Sequence, residues 1–243
     1  MVDIRVRFSK HGALRYIGHL DVMRYFQKVI RRTELDVAYT QGFSPHQIMT
    51  FAQPLGVGVE SDGEYMDLRL NTFTSCDDIK DRINKHSVPE IQALSVKVLP
   101  EKSGNAMASV AAAEYLIDFK SGRAPKFYQD GNIPRTLNDF MGQEEIILVK
   151  EGKAGLRSID IKDRIFLLEY DETEKCIHAI LDASSGYNIK PIALMELISN
   201  FKNEKLIDNS LMVYRVDTYT RDEAGELLSM GLIGSEQINS NQE

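Results

Sequence analysis

The chain has 243 residues, a formal net charge of -7 and a hydrophobic content of 43%. This length allows one large domain or two small ones, and the composition is that of a globular protein. No apolar run approaches the roughly 20 residues that a membrane helix needs, and the charged N-terminus leads us to expect neither a signal peptide nor a membrane partner.

The first hundred residues predict the order strand, helix, two or three strands, helix, strand. The opening segment DIRVRFSK alternates apolar and charged side chains, which is the period of a half-buried strand. An amphipathic helix follows over residues 20–32. Further strands are predicted at QIMTFAQP, EYMDLRL and EIQALSVKVLP, and a helix at TSCDDIKDRINKH. This order predicts a ferredoxin-like domain over residues 1–100 with an elaborated middle.

The same order of elements recurs after a polar segment at residues 101–109. Strands are predicted at EYLIDFK, EEIILVKEG, RIFLLEYD, KCIHAILD and SLMVYRVDTYT, and helices at PRTLNDFM and KPIALMELISNF. We therefore predict an α+β fold of two tandem ferredoxin-like (βαββαβ-type) halves. The second half covers residues 109–221, and a polar, flexible tail covers residues 222–243.

The two cysteines, Cys76 and Cys176, lie far apart and neither belongs to a CxxC motif. This argues against a disulfide framework, a thiolate zinc site and a three-cysteine iron–sulfur site. An acidic run within residues 60–67 is interpreted as a solvated strand edge rather than a metal site. Its members are Glu60, Asp62, Glu64 and Asp67. We therefore expect a cytoplasmic protein with no metal and no cofactor.

Cations gather near the N-terminus although the whole chain is acidic. Residues 1–50 carry eight Lys and Arg against four Asp and Glu. On the predicted helix the apolar side chains share one arc, and Asp21 lies with four cations on the opposite arc. Those cations are Arg24, Lys28, Arg31 and Arg32. Such an arc is either an ordinary solvated helix face or a surface that binds an anion, such as RNA.

Two glycine-rich loops, TQGFSPHQ at residues 40–47 and QPLGVGVESDGEY at residues 53–65, lie between predicted strands. Glycine permits close backbone approach, while Ser, Gln and His supply hydrogen-bond donors. The loops either form plain turns or, together with the basic helix, a pocket for phosphate or carboxylate. The loop residues predicted to contact the anion are Gln41, Gly42, Ser44 and His46.

Catalysis by this chain is an alternative hypothesis. A pair of histidines can perform acid–base chemistry on RNA, so His19 and His46, with Asp21, are the candidate catalytic residues of a metal-independent RNA-processing enzyme. A histidine at the start of a helix also has an ordinary structural role, and the sequence leaves both interpretations open.

Three segments in order carry a resemblance to a known family. They are FSKHGALRYIGHLDVMRYFQKVIRR, YTQGFSPH and FAQPLGVGVESDGEYMDLRL. They resemble the bacterial radical-SAM-linked protein family, a domain of unknown function found beside or fused to radical S-adenosylmethionine proteins. Family members usually have Asn-Pro-His-Pro after the Gly-Phe pair, where this chain has Ser44 and Gln47 at the first and last of these positions.

The resemblance implies a radical S-adenosylmethionine protein as partner and, through the family's gene setting near ribonuclease and ribosomal genes, a connection to RNA. We therefore expect an accessory module that binds RNA or another anionic ligand, rather than an independent catalyst. The alternative from a different class is a protein–protein adaptor whose cationic patch docks the radical enzyme.

Overall fold

The computed structural model describes residues 1–101, 103–152 and 155–237. The chain is of mixed α+β class, which confirms the predicted class. It divides into two compact units, Met1–Ala111 with Arg215–Glu243, and Ala112–Tyr214. In chain order, the elements are β1 (Val2–Lys10), α1 (His19–Arg32), β2 (Met49–Phe51), β3 (Val59–Leu70), α2 (Cys76–Lys85), β4 (Ala93–Val98), α3 (Ala106–Ser109), β5 (Ala112–Phe119), α4 (Lys126–Gln129), α5 (Ile133–Met141), β6 (Ile147–Gly152), β7 (Gly155–Asp160), β8 (Ile165–Asp171), β9 (Cys176–Asp182), α6 (Pro191–Phe201), β10 (Leu211–Arg221) and β11 (Leu227–Ser229).

The sheet of the first unit has β1 at its centre, antiparallel to β4 on one side and β3 on the other. β2 also pairs with β3 in antiparallel fashion, and β10 is a further neighbour of β3. The register places Ile4 opposite Leu68 and Val6 opposite Met66. Because side chains alternate along a strand, these four apolar residues share one face and are buried there.

Helix α1 follows the amphipathic pattern predicted for residues 20–32. Its apolar side chains are buried in the same core as β1 and β3. Asp21 lies in the first turn, where a carboxylate suits the helix dipole. Thr33 ends the helix by donating its hydroxyl hydrogen to the carbonyl of Ile30 at 2.6 Å. The buried residues of α1 are Val22, Phe26, Val29 and Ile30.

In the second unit β9 lies between β5 and β8 and is antiparallel to both. The alternating apolar residues of β5 and β9 are buried, as are one face of α5 and one face of α6, whereas most of β8 is half-buried. A two-stranded hairpin, β6–β7, forms a separate sheet. The strands and helices predicted for residues 109–221 are therefore present, with α4 and β7 in addition.

The predicted flexible tail over residues 222–243 is wrong for the part that the structure describes. β11 pairs with β10, Met230 is fully buried, and Ser235 exchanges backbone hydrogen bonds of 2.7 and 3.0 Å with Val98. The segment is polar on average, but its few apolar residues anchor it. Consequently residues 215–237 belong to the first unit rather than to a second half ending at residue 221. Residues 238–243 lie outside the described residues.

Among the described residues, no helix combines the length and the apolar character required to cross a membrane.

Candidate anion-binding site

The cations predicted on α1 are exposed to solvent. Arg24 is the one that has a carboxylate partner, Asp21, at 3.4 Å in the described part of the chain. Both side chains are largely exposed, at 70% and 61%, so this pair contributes little to stability and holds Arg24 weakly. Arg31 donates from Nε to the carbonyl of Gln27 at 3.3 Å, which leaves its charge uncompensated.

Lys28, Arg31 and Arg32 make no ion pair with any residue that the structure describes. We call these three residues the α1 cationic face. Their charges project from the side of α1 opposite Phe26 and Val29, which are fully buried. Since each charge stays hydrated and uncompensated, the face presents three positive charges to an incoming anion.

The first glycine-rich loop is the tip of a hairpin. Tyr39 and Gln47 form a β-bridge below the tip. Thr40 closes it through two backbone-directed bonds: its N–H donates to the His46 carbonyl at 2.9 Å, and its hydroxyl accepts from the His46 N–H at 3.1 Å. Residues 41–46, which we call the hairpin tip, are all exposed. The tip is thus closed by hydrogen bonds at its base while its side chains face water.

Phe43 at the centre of the hairpin tip is fully exposed. Sequence reasoning selected its neighbours Gln41, Ser44 and His46 as polar contacts and missed the aromatic ring. Gly42 has a φ of 119°, a backbone conformation that glycine adopts without strain, and it directly precedes the phenylalanine. The apolar ring is therefore surrounded by solvent rather than by the protein core. The sequence signal that could have identified Phe43 is a single aromatic residue among turn-forming and polar residues.

No hydrogen bond or ion pair connects the hairpin tip with the α1 cationic face among the described residues. Both belong to the first unit. The predicted pocket, in which the loop and the basic helix together bind a phosphate or carboxylate, therefore stays a prediction.

The candidate catalytic residues do not form a hydrogen-bonded set in the described residues. The His19 ring packs edge-on against Phe51, with centroids 5.6 Å apart. Burial lowers the pKa of His19, opposed by the nearby Glu64 charge, so its imidazole is neutral at pH 7. His46 Nδ1 lies 3.2 Å from Thr40 Oγ1, and Asp21 pairs with Arg24. Catalysis by His19, His46 and Asp21 therefore stays a prediction.

A buried charge cluster lies behind the start of α1. Lys10, Glu64 and Arg215 are 1%, 6% and 3% exposed. Arg215 donates from Nη1 to Glu64 Oε1 at 3.0 Å, and the Ser61 hydroxyl donates to the same oxygen at 2.8 Å. Burial lowers the pKa of Lys10, while the negative charge of Glu64 opposes that shift. Glu64 is thus the carboxylate that compensates two buried cations.

Lys10 also positions the segment that leads into α1. Its Nζ donates to the carbonyls of Arg15 and Ile17 at 3.4 and 3.3 Å. These carbonyls belong to the turn between β1 and α1, so the buried ammonium sets where the helix begins. Lys10 and Glu64 line a small cavity together with His19.

The acidic run was interpreted as a solvated strand edge, and this is wrong for Glu64, which is buried. The other three carboxylates also have basic partners: Glu60 lies 3.0 Å from Arg15, Asp62 lies 2.7 Å from His11, and Asp67 lies 2.7 Å from Arg5. The partners come from β1 and the turn after it, a placement that local sequence does not reveal. No group of three metal-ligating side chains occurs among the described residues.

Comparison with known proteins places the chain in a family. No curated protein matches it significantly. The profile of a family described as "Uncharacterized protein conserved in bacteria (DUF2344)" matches residues 3–191. The matched region runs from β1 to the first residue of α6 and includes the α1 cationic face, the hairpin tip and most of the second unit. Because the profile covers more than half of the sequence, the chain belongs to the DUF2344 family of bacterial proteins.

Proposed function

We propose that this protein binds single-stranded RNA, as a cytoplasmic accessory module of a radical S-adenosylmethionine system. The observation that carries the RNA proposal is the combination, within one unit, of an uncompensated cationic helix face and a fully exposed phenylalanine. The link to a radical enzyme rests on the resemblance of residues 4–70 to the radical-SAM-linked family.

RNA carries two kinds of group that these surfaces can bind, namely phosphates for the cationic side chains and unpaired bases for the aromatic ring. Phosphate groups neutralise lysine and arginine side chains and release counterions as they bind. An unpaired base stacks on an aromatic side chain irrespective of its sequence. Lys28, Arg31 and Arg32 supply the charge, Phe43 supplies the stacking surface, and Gln41, Ser44 and His46 supply polar groups beside the ring.

The proposal includes the finer fold assignment of two ferredoxin-like halves. It is supported in the first unit by the order β1–α1–β2–β3–α2–β4 and by the antiparallel neighbours β4–β1–β3–β2. In the second unit it is supported by the order β5–α5–β8–β9–α6, which is followed by residues 211–214 of β10, with β6–β7 as an insertion.

Replacing Lys28, Arg31 and Arg32 by glutamine is expected to weaken RNA binding and its dependence on salt. Each phosphate contact to a single strand contributes about 0.7 to the slope of log K against log salt, so the triple variant should lose about 2 from that slope. Fluorescence anisotropy with a labelled RNA oligonucleotide, titrated at several salt concentrations, measures it. A matched control removes three exposed lysines of the second unit, Lys126, Lys202 and Lys205. If both variants change the slope equally, only net charge matters and a defined α1 site is contradicted.

Phe43→Ala is expected to weaken RNA binding by about 1–3 kcal/mol, the contribution of one stacked base. The salt slope should stay unchanged because no charge is removed. Thermal stability should also stay unchanged, since the ring is fully exposed to solvent. Phe43→Trp retains a stacking surface and should bind like the wild type. Equal affinities of the alanine and wild-type proteins would contradict the stacking role.

The exposed ring of Phe43 also supports the alternative function, a protein–protein adaptor, because a single buried aromatic anchor often dominates a protein interface. The two functions separate in a nuclease-treated pull-down with the neighbouring radical S-adenosylmethionine protein. Capture that survives nuclease and requires Phe43, together with absence of RNA binding, favours the adaptor over the RNA-binding module.

A further inference from the structure

A second group of cations lies in the second unit, around the aromatic ring of Tyr187. We call Lys150, Arg164, Tyr187 and Lys190 the Tyr187 patch. Lys150 belongs to β6, Arg164 directly precedes β8, and Tyr187 and Lys190 lie in the loop before α6. Three separate segments therefore bring these side chains together.

Three contacts with Tyr187 and Asp182 hold the Arg164 side chain in place. Its guanidinium carbon lies 4.0 Å from the centroid of the Tyr187 ring, and its Nη2 donates to the Tyr187 hydroxyl at 3.2 Å. Its Nη1 lies 3.5 Å from Oδ2 of Asp182. The arginine side chain is nevertheless 38% exposed, so part of its donor fork still faces solvent. An arginine immobilised in this way loses little conformational entropy when it binds an anion.

Lys150 is brought near Lys190 by the backbone of the same loop. Its Nζ donates to the carbonyl of Asn188 at 3.3 Å, and Asn188 has a φ of 41°, a left-handed conformation that asparagine tolerates. Burial lowers the pKa of Lys150, the positive charge of Lys190 lowers it further, and the negative charge of Asp182 opposes both shifts. The two ammonium groups are thus close enough to repel each other, and a bound anion would relieve that repulsion.

Asp182 pairs directly with Arg164 and acts on Lys150 only through its charge, so one carboxylate faces three cations. Asp182 is 5% exposed at its side chain, and its Oδ1 already accepts from the Ser184 N–H and hydroxyl at 2.9 and 2.5 Å. Its Oδ2 faces Arg164. Lys150 and Lys190 form no ion pair with any residue that the structure describes. The patch therefore carries an excess of two positive charges.

We propose that the Tyr187 patch binds a backbone phosphate of the RNA strand, a second phosphate contact besides the α1 cationic face. This inference rests on the proposed RNA-binding function and extends it to the second unit. A phosphate fits better than a base, because the Arg164 guanidinium already occupies one face of the Tyr187 ring, where a base would stack. Two ammonium groups and an exposed guanidinium edge match the several acceptor oxygens of a phosphodiester.

The test uses the full chain with Lys150 and Lys190 both replaced by glutamine and a labelled single-stranded RNA oligonucleotide. The slope of log K against log salt should fall by about 0.7, the contribution of the one phosphate contact that is lost. The control, Lys202→Gln with Lys205→Gln, removes the same charge from exposed positions of the same unit. Lys190→Gln alone, at an exposed position, should lower the RNA affinity by a smaller factor than the double variant does, and it tests whether the effect of the double variant is due to misfolding.

The outcomes distinguish this inference from the proposed function. A wild-type slope in the Lys150/Lys190 variant, with a reduced slope in the variant of the α1 cationic face, overturns the Tyr187 patch and leaves RNA binding intact. Wild-type protein that does not bind the oligonucleotide overturns both. Reduced slopes in both variants, with the control unchanged, support two separate phosphate contacts.

Discussion

Glu64→Gln is expected to lower the free energy of unfolding by about 3–5 kcal/mol, the cost of removing one partner from a buried ion pair. Glu64 is the carboxylate beside Lys10 and Arg215, both almost fully buried. Glutamine keeps the size of the side chain, so the effect isolates the missing charge. Lys10 can lose its proton in the variant, but that step also costs free energy at pH 7. Urea denaturation at pH 7 measures the difference.

The matched control for this prediction is Glu60→Gln. Glu60 makes a similar contact of 3.0 Å with Arg15, but the two side chains are 29% and 38% exposed. An ion pair in contact with water contributes about 1 kcal/mol or less. Similar losses of unfolding free energy in the two variants would contradict this prediction. They would mean that the buried ion pairs of Glu64 contribute no more to stability than the exposed pair of Glu60.

Gly63→Ala is expected to destabilise the first unit by about 3 kcal/mol or to prevent its folding, at the upper end of overpacking effects. A Cβ atom at Gly63 would lie 2.3 Å from the Cα of Asp217 and 2.7 Å from its nitrogen. These are backbone atoms of β10, which cannot move away without disturbing its contacts. One of these contacts is the 2.7 Å bond from the Thr218 hydroxyl to the Gly63 carbonyl. Soluble yield and thermal melting measure the effect.

Gly56→Ala is the control for the close approach at Gly63. The nearest atom to a Cβ at Gly56 is a methyl carbon of Val59 at 3.6 Å, an ordinary contact, and Gly56 has no positive φ. This variant should melt within a few degrees of the wild type. A Gly63→Ala protein that melts like the Gly56→Ala protein would show that β3 and β10 tolerate a wider separation than the structure has.

Local periodicity was sufficient to predict the main elements. The alternation in DIRVRFSK and EYMDLRL predicts β1 and β3, and the apolar arc of residues 20–32 predicts α1 with its cations outward. These predictions succeed because a strand or helix buries the face that its own sequence makes apolar. The C-terminal segment was wrongly predicted as a flexible tail, because the partners of Met230 and Ser235 lie far away in the chain and composition alone does not reveal them.

The sequence by itself determined the α+β class, the amphipathic character of α1 and which residues carry charge. Only the tertiary structure decided which charges are compensated. Glu64 and Asp67 are neutralised by cations from distant segments, whereas Lys28 and Arg32 have no carboxylate partner among the described residues. The physical reason is that an ion pair depends on distance in space, and strand pairing brings together residues that are remote in sequence. The exposure of Phe43 likewise depends on the tertiary structure, because the Tyr39–Gln47 bridge closes a hairpin whose tip projects into solvent.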